Sequence, residues 1–223
     1  MVMSVSAPRT SARREREREA RSSSILAAAR DLFLANGITA TTMDDIAGAC
    51  DLAKGTLYLY FASKDEIAFE LLLQDTDSLL KALHASIDPA ERAVMQMEKL
   101  AVTYYRFFVA QPEPFRYMFV LPHESYAGRA SEDRVRRWSQ AGRAALGLVA
   151  GLLERAGVED GLDVPDPWSA AVATWSAITG VIVIPSQDVR RPFIGDVDVE
   201  SLVVATVRRL VRGMSATHER SAR

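Results

Sequence analysis

Between Lys54 and Lys64 the chain reads KGTLYLYFASK, a set of side chains suited to contact with a polyanion. Lys54 carries a full positive charge. Thr56, Tyr58 and Tyr60 bear hydroxyls that can donate to phosphate oxygens, and Leu59 offers an apolar tip of the kind that meets a thymine methyl in the major groove. Gly55 costs a helix interior about 1 kcal/mol relative to Ala, so its presence needs another reason; a position without Cβ lets a second molecule's backbone come close. Lys near a helix N-terminus opposes the helix dipole and needs a reason too. No carboxylate falls between Leu52 and Lys64. Taken singly, each residue suits a small helical core, with half-buried tyrosines and a solvated lysine; together at this spacing they favour DNA.

Positioning such a set requires short helices that cross steeply. A helical reading of residues 52 to 61 turns Ala53, Leu57 and Phe61 inward and leaves Gly55 and Leu59 outermost, with Lys54 and Tyr58 on one flank and Thr56 and Tyr60 on the other. Upstream, Ile25, Ala28, Ala29, Leu32 and Phe33 recur at helical spacing, and Asn36-Gly37 supplies a stop. Thr42 is placed to cap a second helix with Asp45 three residues on, and Met43, Ile46 and Ala47 point inward. Only Cys50, Asp51 and Leu52 separate that helix from the next, the spacing of a helix-turn-helix. Ser63 and Glu66 form a second capping box, opening a long helix to about Leu83 whose stripe is Ile67, Leu71, Leu79 and Leu83.

The run GITATTMDDIAGACDLAKGTLYLYFASKDE, from Gly37 to Glu66, resembles the DNA-binding domain of TetR-family transcriptional regulators. The marks are Gly37, Thr41-Thr42, Ile46-Ala47, Lys54 to Tyr58, Tyr60-Phe61 and Ser63-Lys64, within a resemblance that covers about residues 22 to 70. It implies that Thr42, Tyr58, Tyr60 and Lys64 hold phosphates of a double-stranded operator, with Lys54, Gly55 and Thr56 at the groove. Two positions depart from the pattern. Asp51 stands where Gly is usual, which requires Asp to take a left-handed conformation, and Ala53 stands where Ser is usual, which removes a cap from the recognition helix.

The whole chain has 223 residues and a formal net charge of −2, so any grip on nucleic acid has to come from a local patch. One cysteine, Cys50, and three scattered histidines give neither a disulfide nor a metal centre, and no cofactor motif is present. No signal-peptide core precedes residue 24, so a cytoplasmic location is expected. Residues 168 to 187 carry no charge and match a membrane span in length. Ser169, Thr174, Ser176, Thr179, Pro185 and Gln187 dilute them and no basic cluster flanks them, which favours a helix buried on both faces and no membrane.

The fold class read from these patterns is all-α. A flexible Arg/Glu tail, as a frayed helix or a mobile segment, is expected over residues 1–21, the helix-turn-helix domain over 22–68, a helical ligand-binding and dimerisation domain over 69–215 and a disordered tail over 216–223. Helices are expected at about 90–111, 114–120, 131–156, 167–184 and 198–213, with Asp88-Pro89 and Asp166-Pro167 as two starts. Aromatics gather over Tyr104 to Phe119, and an apolar small molecule is expected against Tyr104, Phe108, Phe115, Trp138 and Trp175, oriented by Tyr105, Arg116 or His123; core packing is the competing reading. The resemblance implies a homodimer built from the last two helices. It also implies a repressor that the ligand releases; a regulator whose second half only dimerises is the alternative, and a helical enzyme or adaptor the more distant ones. No nucleophile elbow, phosphate loop or His-Glu-x-x-His supports an enzyme.

Overall fold

A computed structural model describes residues 8–110 and 131–215, and every regular element among them is helical. They are α1 (Pro8–Asn36), α2 (Met43–Ala49), α3 (Lys54–Tyr58), α4 (Lys64–Ser86), α5 (Ala93–Ala110), α6 (Glu132–Asp160), α7 (Pro167–Val183), α8 (Arg191–Ile194) and α9 (Val199–Ser215), with a 3-10 turn at Asp188–Arg190. Two compact units divide within α4, between Leu73 and Gln74, and within α6, between Val135 and Arg136. The expected helix 114–120, with Phe115, Arg116 and His123, lies outside the described residues, as do residues 216–223.

In the first unit the local signals act as the sequence implies. Gly37 takes φ +82° and its amide donates to Phe33 O at 2.9 Å, ending α1 in the left-handed conformation that glycine adopts without strain. Ile25, Ala29, Phe33, Ile46, Leu57, Phe61 and Ile67 are buried and form the core under the short helices. α1 extends further than expected. Helix runs back to Pro8 through the Arg/Glu stretch, the helical one of its two readings, because Arg, Glu and Ala are strong helix formers and an existing helix propagates without a new nucleation step.

In the second unit, α5, α7 and α9 pack around Leu100, Tyr104, Phe108, Ile178, Ile182, Val203 and Val207, all buried. α7 starts as expected: Asp166 accepts from the Ser169 amide at 3.1 Å, and Pro167 occupies the first turn. α5 does not. Asp88-Pro89 makes a turn, with the Ala90 amide donating to Asp88 Oδ1 and the Glu91 amide to Asp88 O, and the helix begins only at Ala93. Its N-terminus is capped from α6, where Glu159 Oε2 accepts from the Ala93 amide at 2.9 Å. That bond, reinforced by Arg155, holds the Glu159 carboxyl below the usual range. α5 and α9 are stapled by two bidentate pairs of crossed sign, Arg106 to Glu200 at 2.6 and 3.0 Å and Arg208 to Glu98 at 2.9 Å twice. No helix among the described residues is long and apolar enough to cross a membrane.

Candidate nucleic-acid interface

Thr42 is the N-cap of α2 and shares a full capping box with Asp45. The Asp45 amide donates to Thr42 Oγ1 at 3.1 Å, while the Thr42 amide and hydroxyl both donate to Asp45 Oδ2, at 2.8 and 2.7 Å. These bonds pull the Asp45 carboxyl below its ordinary range. They also engage the one proton that Thr42 could offer a phosphate.

The turn into α3 contains the strained residue that the sequence requires. Asp51 sits at φ +53°, the single non-glycine positive φ among the described residues, and the Leu52 amide returns to Ala47 O at 2.9 Å. α3 itself is shorter than the expected 52–61. Ala53 is its N-cap but has no side chain to cap with, and it is exposed where an inward position was expected. The helix holds for five residues before tighter bonds, Leu59 to Thr56 O and Tyr60 to Leu57 O, lead into Phe61. Leu57 and Phe61 are buried as anchors.

That anchoring sets the outer face. Leu59 is 75% exposed and Tyr58 45%, and the hydroxyls of Thr56, Tyr58 and Tyr60 have no hydrogen-bond partner among the described residues. A Cβ built on Gly55 meets nothing within 4 Å, so the protein's own packing does not call for glycine there. Lys54 Nζ pairs with the Asp44 carboxylate at 2.8 Å across the exposed surface, tying α3 to α2. This partner keeps the ammonium protonated to higher pH than usual.

Lys64 is positioned differently from the expected phosphate contact. Its Nζ donates to Ile38 O, Thr39 O and Thr41 O, each at 2.8 Å, so all three ammonium protons close the loop between α1 and α2. Sequence inspection missed these partners, which lie 23 to 26 residues away. It also missed Arg134, which spans Glu66 and Glu70 on α4 at 3.1 Å each within the first unit. The Glu66 amide donates to Ser63 Oγ at 3.2 Å, the expected half of the box at α4, while the return bond to Glu66 comes from the Ala62 amide at 3.0 Å in place of Ser63's own.

A family profile described as bacterial regulatory proteins, tetR family, matches residues 25–71, and one described as tetracyclin repressor-like, C-terminal domain, matches residues 97–217. The chain belongs to the TetR family. That family is one of DNA-binding transcriptional regulators. Among TetR-family relatives, the HTH-type transcriptional regulator UidR of Escherichia coli K12 is 36% identical over 64 residues, 29% of this chain and 33% of UidR. An HTH-type regulator of Mycobacterium tuberculosis is 29% identical over 135 residues, 57% of this chain and 53% of that one. The chain thus aligns with about a third to a half of these curated relatives. The TetR fold recurs in a regulatory protein from Rhodococcus RHA1, at 19% identity and TM-score 0.69, covering 87% of this chain and 96% of that one. It recurs also in the regulator FadR of Bacillus subtilis, solved in complex with stearoyl-CoA, at 17% identity and TM-score 0.64, covering 85% and 97%.

The residues expected to meet a ligand are placed in several ways. Tyr104 is buried; its hydroxyl lies 2.9 Å from Thr179 Oγ1 and accepts from Trp175 Nε1 at 3.2 Å. Burial pushes its pKa up to about 12 against these two bonds. Phe108 stacks edge-on to Tyr104 with ring centroids 5.0 Å apart and is buried too. Trp175 is 40% exposed and Trp138 half-buried. An open groove along α5 and α9 is lined by charged residues, among them Glu91, Lys99, Arg106 and Arg208, and not by this aromatic set.

Proposed function

We propose that the chain is a cytoplasmic, homodimeric repressor that reads a pseudo-palindromic operator with one α3 per half-site. The observation that carries this is the outer face of α3: a bare Gly55, an exposed Leu59 and three hydroxyls at Thr56, Tyr58 and Tyr60 with no partner in the described protein. One recognition helix offers too few contacts for a monomer. The half-sites then present successive major grooves on one face, about 34 Å or a multiple apart. Exposed Trp168 and Val172 on α7 support pairing of the last long helices with a second copy.

In this reading Gly55 and Thr56 approach the bases, Leu59 touches an apolar edge, and Tyr58, Tyr60 and Lys54 hold phosphates. Lys54 shares its charge between Asp44 and the duplex. Thr42 and Lys64 hold the shape of the α1–α2 loop and the start of α2, since their donors are engaged there. Operator selection from genomic DNA, followed by footprinting, tests the assignment. Tyr58→Phe is expected to weaken all duplexes alike, and Thr56→Ala to change base preference. A single unpaired half-site, or equal losses for both variants on specific and random duplexes, refutes it.

Release by an apolar small molecule held near Tyr104, Phe108, Trp138 and Trp175 completes the proposal, with α4 as the element that contributes to both units. The stearoyl-CoA complex of the Bacillus subtilis neighbour supports an acyl chain as the first probe. Stearoyl-CoA is then expected to quench tryptophan fluorescence and lower operator affinity by about 5- to 150-fold. The saturated Tyr104 hydroxyl favours a second reading, in which this half is a closed core that only dimerises. Quenching with unchanged operator affinity selects that second reading.

A further inference from the structure

The first turns of α1 carry a charge pattern that the reading of α3 leaves unused. Residues 12 to 21 are all exposed, so this arm is helix without a packing partner. It holds Arg13, Arg14, Arg16, Arg18 and Arg21 against Glu15, Glu17 and Glu19. The alternation looks self-neutralising in one dimension, but helical phase sorts it. Arg14, Arg18 and Arg21 fall at i, i+4 and i+7 on one line, while Glu15 and Glu19 fall on another. The pair formed is Arg13 with Glu17 at 2.7 Å, which withdraws Glu17 from Arg21, its other neighbour at i+4. Arg14, Arg16, Arg18 and Arg21 have no carboxylate at ion-pair distance among the described residues. Glu17 lies one turn from Arg14 and Arg21 and Glu15 one turn from Arg18, yet none of these acids is at ion-pair distance from the line, so its guanidinium groups stay open to an anionic surface.

Direction follows from the same helix. One turn beyond Arg21 the line reaches Ile25, which is fully buried in the first unit's core. The arginine line therefore continues the side of α1 that faces its own domain and overhangs beyond it, by about 16 Å from Ile25 to Arg14 at 1.5 Å per residue. Arg21 stands within electrostatic reach of Cys50 at the end of α2: burial raises that thiol's pKa and Arg21 draws it down. The line thus lies on the flank that carries the helix-turn-helix.

We infer that the Arg14–Arg18–Arg21 line is a second DNA-binding surface, which grips the phosphate backbone flanking the half-site read by α3. The inference rests on the proposed operator binding of α3. It adds affinity without sequence preference, because guanidinium contacts to phosphate position the protein and carry no base information. Two arms in a dimer extend the protected duplex on both sides.

The test uses the full chain and its selected operator, as a minimal duplex and with arbitrary flanks added. Arg and Gln have similar helix propensity, so Arg14→Gln, Arg18→Gln and Arg21→Gln in combination leave the arm helical, as circular dichroism would verify. The wild-type chain is expected to bind the flanked duplex more tightly than the minimal one. The triple variant is expected to lose that gain, about ten-fold or more, and to reduce the slope of log affinity against log salt by about 1 for each contact removed. The triple Lys variant is expected to restore most of both. Unchanged affinity and salt slope in the Gln variant would overturn the arm and leave α3 standing, whereas a wild-type chain that selects no duplex would overturn both. Loss of binding to anionic vesicles with DNA affinity intact would overturn the arm in favour of a membrane partner.

Discussion

Tyr58 and Tyr60 in the first unit carry the same phenol as Tyr104 in the second, yet their surroundings differ in kind. Tyr58 stands 45% exposed with no partner for its hydroxyl among the described residues, one turn from Gly55, where an added Cβ would meet nothing within 4 Å. Tyr104 is buried, stacked on Phe108 and bonded to both Thr179 and Trp175. A buried hydroxyl without a partner is costly, so the second unit satisfies its tyrosine from within. The first unit keeps its tyrosines wet and unsatisfied, which costs little in water and leaves donors for another molecule. Folding explains Tyr104, and the proposed reading of α3 gives Tyr58 and Tyr60 their role.

The contrast breaks most visibly at Tyr104. Truncation by Tyr104→Ala is expected to cost about 3 to 5 kcal/mol in urea unfolding, from the cavity left beside Phe108, while Tyr58→Ala stays within about 0.5 kcal/mol. Equal losses would mean that Tyr58 also serves the core. The second effect is in alkali. The folded Tyr104 pKa is raised to about 12 from 10.0, so its contribution is complete below pH 10 and disappears as pH rises toward 12. That amounts to about 2 to 3 kcal/mol of excess alkaline destabilisation, which Tyr104→Phe should remove and Tyr58→Phe should not.

Lys64 tests whether a residue of the family pattern is bound to the fold or to DNA. Lys64→Met leaves three carbonyls without their shared donor and is expected to destabilise the first unit by about 1 to 3 kcal/mol in the absence of DNA. A variant of full stability that has lost operator affinity would return Lys64 to the phosphates. The smallest effect is the most specific. Gly55→Ala is expected to raise stability by up to about 1 kcal/mol, since the added Cβ meets nothing, and to weaken operator binding. An affinity gain there would remove the close approach on which the reading of α3 depends.

What could be read from the sequence was local. The Gly37 stop, the Thr42–Asp45 box, the left-handed Asp51 and the Asp166-Pro167 start each join residues no more than four apart, and chain chemistry alone decides them. Legibility failed where the partner is distant. α5 starts at Ala93 because Glu159, 66 residues on, caps it, and no local pattern distinguishes this from the Asp-Pro start that the sequence suggests. Lys64 has the right type and place for a phosphate contact; the carbonyls that engage it depend on how the α1–α2 loop folds back. The outer face of α3 was legible because Leu57 and Phe61 fix its phase. Its length was not, since Ala53 leaves the start uncapped.

The two staples between α5 and α9 bear on the order of assembly. Arg106 and Glu98 are eight residues apart on one helix, as are Glu200 and Arg208 on the other, and the signs are crossed. A helix docked in the reverse direction would set Arg106 against Arg208 and Glu98 against Glu200. Exposed pairs of this kind add little to final stability, so what their crossed signs contribute is a preference between the two orientations. The partners are 94 and 110 residues apart in the chain, so the staples close only once α9 has been made, after α4, α6 and α7, which share the core with α5. The crossed charges thus favour the orientation in which α9, the last long helix, closes on α5 over a backwards one.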